Sequence, residues 1–315
     1  MNKSYFIETE SALNNITNLF NDVWPLAVGL WNLRCSVNGI IHEYPAITEP
    51  ELAAKFSKGS AIHGVNYKQA FVDKTWEEQQ GTLAWIILND AFAIYEGWLA
   101  RICENYFSKE KDFIKSFQFP VDKKYKMNVK AVLTKICVSA NSEISNSFYA
   151  SYSNPNKPKI DFNHINEYLY CYRAFKEARN CYMHFGGIAN DKLIFAYKDY
   201  VTYCSRSTLD VKELPEFIMP IRGSSIVLSL RGVVGFSQIL IKLLLTLDAE
   251  LIKTESANEE YLRRFREKHG SKTILKQIDV DANKQIERYS MQCGFHKPIN
   301  TDQLRLWLKM KGIVY

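Results

Sequence analysis

Between Thr75 and Phe107 the apolar residues Leu83, Ile86, Ile87, Phe92, Ile94, Leu99 and Ile102 keep the spacing of a helix face, with Trp85, Tyr95 and Trp98 adding bulk. Such a stripe has to be buried against other elements, because an isolated amphipathic helix is marginal in water. A second apolar run, 226 to 254, is interrupted by Arg231, Lys242 and Asp248. It therefore reads as a core helix of a globular protein and not as a membrane span. Two long helices of this kind point to an all-α fold, a bundle in which further helices cover the remaining apolar faces.

The rest of the chain is read around these two. Residues 9 to 41 have helical spacing, with Pro25 expected to kink or break the helix. Thr48-Glu49-Pro50-Glu51 has the form of a capping box with proline in the first turn, and starts a short helix. Residues 59 to 72 are expected to be irregular, and 126 to 139 helical. The Asn- and Ser-rich stretch 141 to 160, with two prolines, reads as a loop. A helix from about Asp161 to Phe185 should stop at Gly186-Gly187. DKLIFAYKDYVTY, residues 191 to 203, is the one place where a short β-hairpin is expected, and short helices fill the remainder. The resulting division is a helical extension over 1–72, a central helical domain over 73–254 and a basic helical segment over 255–315.

Composition removes several function classes. With 47% hydrophobic and 23% charged residues the chain can bury a core, so wholesale disorder is excluded. Seven cysteines are scattered with no Cys-x-x-Cys pair, which fits free thiols in the cytoplasm and leaves no cluster with zinc-ligand spacing. No metal or cofactor is expected: there is no phosphate-binding glycine loop, dinucleotide fingerprint or nucleophile elbow. Of the net charge of +6, residues 255–315 supply an excess of four, with twelve Lys and Arg against eight Asp and Glu. A basic excess of this size is compatible with a nucleic-acid partner and does not require one.

The chemistry concentrates in Ala178-Arg179-Asn180-Cys181-Tyr182-Met183-His184-Phe185-Gly186-Gly187. On a helix Asn180 and His184 share a face, while Arg179 points about 140° away from His184. A histidine can take the proton of an RNA 2′-hydroxyl or protonate the leaving oxygen. An arginine can hold the scissile phosphate and stabilise its transition-state charge, and an asparagine can orient either group. Spacing alone is a weak signal, because Arg264-Phe265-Arg266-Glu267-Lys268-His269 repeats it within a highly charged stretch that reads as a solvated helix face.

The first copy, including its polar Asn180, resembles the motif of the HEPN superfamily, and ILNDAFAIYEGWLARI is similar to that family's first core helix. The resemblance spans about 75 to 254 and implies a HEPN-like bundle with extra terminal helices. It implies a homodimer in which two Arg179/His184 sets meet in one cleft, acting as a metal-independent endoribonuclease of the toxin or phage-defence type. Glu96, with Asn89 a heptad before it, would then pair with the active-site arginine. Supporting residues are Tyr182 near the motif and, for RNA contact, Lys176, Arg263, Arg264 and Arg266. An antitoxin or defence-system partner is a further expectation; a membrane is not. The same residues admit a second reading, a non-catalytic helical RNA- or protein-binding module in which Arg179 and His184 only fix a helix end.

Overall fold

The computed structural model describes residues 4–107, 111–121, 124, 128–137, 142–153 and 161–315. The fold is all-α, and among the described residues only three isolated β-bridges occur and no sheet.

Helix α1 (Ile7–Glu43) runs straight through Pro25. The break expected there does not occur: Asn21, whose carbonyl loses its N–H partner to the proline, is exposed, so that carbonyl can turn to water. Helix α2 (Glu49–Phe56) starts at the Thr48/Glu51 capping box, and a π-helical turn (Gln69–Asp73) leads to α3 (Trp76–Tyr106). Thr75 caps α3 in the same manner, accepting from the N–H of Glu78. Then follow α4 (Lys111–Ser116), α5 (Val129–Ile136) and α6 (Glu143–Tyr152). The expected loop over 141–160 is corrected by α6, which starts at an N-cap, Ser142, and buries Ile144, Phe148 and Tyr152. Residue 141 and residues 154–160 lie outside the described set.

A 3₁₀ turn (Phe162–His164) opens α7 (Ile165–His184), whose C-terminus is closed by Gly186 and Gly187 at φ of 61° and 78°. A side chain is strained at such angles, and the N–H of Gly187 reaches back to the Cys181 carbonyl at 3.1 Å. The hairpin expected over 191–203 is helix α8 (Asp191–Tyr203). Asn190 caps it, and Leu193, Ala196 and Tyr200 recur at helical spacing toward α7, which outweighs the β-branched and aromatic content. After α9 (Arg206–Leu209), a strap leads to α10 (Leu230–Leu251), and α11 (Glu255–His269), α12 (Asp279–Gln292) and α13 (Thr301–Met310) complete the chain.

Helix α10 is long and apolar enough to cross a membrane, yet most of it is buried among the other helices. Phe236 shows why: it stacks on Phe92 of α3 and Phe175 of α7, with ring centroids 5.2 and 4.6 Å away. One large core joins all three sequence segments, since Tyr5, Trp98, Phe175, Phe236, Tyr261 and Trp307 belong to it. A second, small core forms around Val37, Leu52, Tyr67 and Phe71 at the far end of α1.

Candidate functional site

Helices α3 and α7 run past each other, pinned at two levels. Near the C-terminus of α7, Tyr182 stacks on Trp85 with centroids 4.0 Å apart and planes 16° from parallel. Three turns away in α3, Glu96 accepts from Lys176 Nζ at 2.8 Å. Arg179 and Asn89 lie between these two contacts in sequence, one on each helix. Arg179 Nε and Asn89 Oδ1 are both buried without a hydrogen-bond partner, a donor and an acceptor left open. Such atoms carry a desolvation cost.

The other two basic side chains of α7 before Arg179 are already ion-paired. Arg173 is paired with Glu177 and lies over the Phe119 ring at 4.5 Å. Lys176 also donates to Gln118 and sits 5.6 Å above the ring of Tyr172. Burial is the largest influence on Lys176 and lowers its pKa from the usual ammonium range, against the pull of Glu96. Arg179 and His184, by contrast, have no ion pair or side-chain hydrogen bond among the described residues.

Two expectations are therefore corrected. Glu96 is spent on Lys176, not on Arg179, because Lys176 lies one turn closer to it along α7. Lys176 is a buried partner, not a free phosphate contact. Asn180 shares the His184 face, but its amide donates to Glu177 at 3.4 Å, a weak bond that leaves it free to turn.

His184 is the last residue of α7 and is exposed, within a rim of exposed apolar side chains: Tyr182, Met183, Phe185 and Ile188. None of three cavities found elsewhere in the chain includes Arg179 or His184. His184 thus faces outward in a single chain, surrounded by aromatic and thioether surface of the composition found in protein interfaces.

The second Arg-x4-His copy is built differently. Arg264, expected on a solvated face, has its side chain only 13% exposed. It donates to the carbonyls of Tyr5 (2.9 Å) and Cys293 and lies 4.2 Å over the Phe295 ring. His269 stacks on Tyr289, centroids 4.1 Å apart, and burial lowers its pKa below the usual histidine value. Both residues tie α11 to its surroundings. Arg263 is held by Glu260 and Glu267, and of the three tail arginines expected to meet RNA only Arg266 is exposed without an ion pair among the described residues.

No group of three or more His, Cys, Asp or Glu with metal-binding geometry occurs among the described residues, and all seven cysteines are free. Comparison with protein-family models, with curated proteins and with solved structures finds no match.

Proposed function

We propose that the chain is an endoribonuclease that cleaves RNA by attack of a 2′-hydroxyl on the adjacent phosphate. The observation that carries this reading is the pairing state of α7. Arg173 and Lys176 are ion-paired inside the bundle, while Arg179 and the exposed His184, five residues further on, have no ion pair or side-chain hydrogen bond among the described residues. The motif's resemblance to HEPN ribonucleases points the same way.

In this reaction His184 takes the 2′-OH proton as the new P–O2′ bond forms. The P–O5′ bond breaks, and the departing oxygen accepts a proton from a second imidazole, leaving a 2′,3′-cyclic phosphate and a 5′-hydroxyl. Arg179 holds the non-bridging oxygens with its two terminal N–H groups, charge-assisted bonds that strengthen as charge builds up on the phosphate. Asn180, released from its long contact with Glu177, can bind the phosphate or the imidazole. Tyr182, held flat against Trp85, fixes the end of α7 from which His184 projects.

One chain supplies one His184, and Arg179 leaves the same helix about 140° away from it. A second copy docked on the apolar rim around His184 supplies the other imidazole and the facing arginine. The reading is therefore of a homodimer with RNA as substrate.

The deciding experiment is RNA cleavage in EDTA by the wild type, Arg179→Ala and His184→Ala, with product ends mapped. Each substitution is expected to lower the rate by at least about 100-fold, and the wild-type products should carry cyclic phosphate ends. Undiminished cleavage by both folded variants would remove the assignment.

A further inference from the structure

A cleft far from His184 in sequence has the features of a small-molecule site. Two cavities of about 510 and 590 Å³ lie side by side, and both are lined by Glu216 and Arg231. Each falls in the size range of ligand pockets. The first is apolar and holds Trp24, whose ring rests on Phe20 at a centroid distance of 5.6 Å while remaining 41% exposed. Glu77 stands at its rim. The second holds Arg206 and Lys212.

The charges are sorted. Arg231 is paired with Glu213, which cancels both. Glu77 then remains on the tryptophan side, Arg206 and Lys212 on the other, and Glu216 at the wall that the two lobes share. None of these four side chains has an ion pair or hydrogen bond among the described residues. Between the lobes the first turn of α10, with no acidic residue in it, presents Ser229, Leu230 and Arg231.

The wall between the lobes is rigid. The Glu216 carbonyl lies so close to Gly232 that a Cβ there would come within 1.9 Å of it, so only glycine lets the strap lie on α10. Tyr200 donates to the Pro215 carbonyl at 2.6 Å, and Phe217 packs on Phe175 of α7 at 4.9 Å. The cleft is preformed, and its wall rests on the helix that carries Arg179.

We infer that this cleft binds a nucleotide 5′-monophosphate. The base stacks on Trp24 with its amino group toward Glu77 or Glu216, and the phosphate lies between Arg206 and Lys212. A flat ring bearing N–H donors, joined through an uncharged sugar to a doubly negative group, matches an aromatic wall, free carboxylates and free cations in that order. The ligand can be a free nucleotide or the 5′-phosphorylated end of an RNA strand, since both present the same chemistry. This inference does not rest on the ribonuclease reading.

The test is calorimetric titration of AMP, adenosine, inorganic phosphate and 5′-phosphorylated oligoadenylate into the full chain carrying Arg179→Ala, which removes phosphate binding at the proposed active site. AMP is expected to bind saturably, at least about tenfold more tightly than adenosine or phosphate alone. Arg206→Ala/Lys212→Ala should weaken AMP about tenfold or more, and Trp24→Ala about fivefold or more. All three positions are exposed or half-exposed, so the variants should fold. Tighter binding of the oligonucleotide than of AMP assigns the source to an RNA end, and the reverse to a free nucleotide. Absence of saturable AMP binding, equal binding of phosphate alone, or AMP affinity untouched by both sets of substitutions would overturn the inference.

Discussion

At the scale of single residues, what distinguishes the two Arg-x4-His copies is whether the charge is already spent. Sequence showed the identical spacing and rightly gave it little weight, but it could not show that Arg264 is consumed by two carbonyls and a phenyl ring. Those partners come from Tyr5 and Cys293, remote in sequence. Nor could it show that Lys176 intercepts Glu96, because the choice between residues 176 and 179 depends on how α3 is rotated against α7. Removing Arg179 should therefore leave stability nearly unchanged, within about 0.5 kcal/mol. Removing Arg264 should cost about 2 kcal/mol, since two carbonyls lose a charged donor. Urea melts of Arg179→Ala and Arg264→Ala compare the two directly, and equal losses would contradict the distinction. The Glu96–Lys176 pair gives a parallel case. Glu96→Ala should destabilise by about 1–2 kcal/mol by leaving a largely buried ammonium unpaired, and Glu96→Leu/Lys176→Met should restore most of that loss. A Glu96→Ala protein with wild-type stability but no RNA cleavage would return Glu96 to the proposed active site.

At the scale of elements, helices with a regular apolar stripe were legible and those defined by their ends were not. The stripe of α3 and the bulk of α10 placed both to within a few residues. Helix α6 was hidden by its Asn and Ser content, although Ser142 caps it. Helix α8 was hidden because Tyr, Phe and Val favour strands as readily as buried helix faces. The cap of α1 was beyond reach of local reading, although its start was placed to within two residues. Its N-cap, Phe6, has no capping side chain of its own. The cap comes instead from Asp248 of α10, whose carboxylate accepts the N–H groups of Tyr5 (2.6 Å) and Phe6 (3.1 Å). Burial pushes the Asp248 carboxyl up to about 6, against these hydrogen bonds and one from Thr9, which favour the ion. The folded state thus holds this proton more tightly than the unfolded chain, whose value lies near 3.9. The resulting stabilisation is fully present below the unfolded value and is lost as pH rises through 6. Relative to Asp248→Asn, the wild type should gain about 1 kcal/mol on going from pH 7 to pH 5. Denaturant melts of both proteins at the two pH values read this as a change in their stability difference, and a constant difference would rule it out.

At the scale of the whole molecule, the bundle class followed from two amphipathic stretches, whereas the unity of the core did not. The segments expected as separate extensions contribute Tyr5, Tyr261 and Trp307 to the same core as Phe175, because α10 is apolar on nearly every side and needs covering by the terminal helices as well as by α3 and α7. What this core leaves uncovered is the end of α7, where Met183 and Phe185 are each more than half exposed beside His184. Burying that rim against a second copy would bring two histidines together and would place each chain's Arg179 within reach of the other chain's site. This makes a specific demand on mixtures. Wild-type and His184→Ala dimers should exchange subunits into a heterodimer that holds a single imidazole, too few for a reaction that uses one as base and one as acid. With random exchange of an equimolar mixture about a quarter of the dimers keep both histidines, so activity should fall to about a quarter of that of an all-wild-type sample of the same total concentration. Met183→Glu/Phe185→Glu, which places charges on the rim without touching the core, should yield a folded, inactive monomer by light scattering. Activity in that monomer, or a mixture that keeps about half of the wild-type activity, would mean that each chain works with its own Arg179 and His184, and the two-fold cleft would have to be given up.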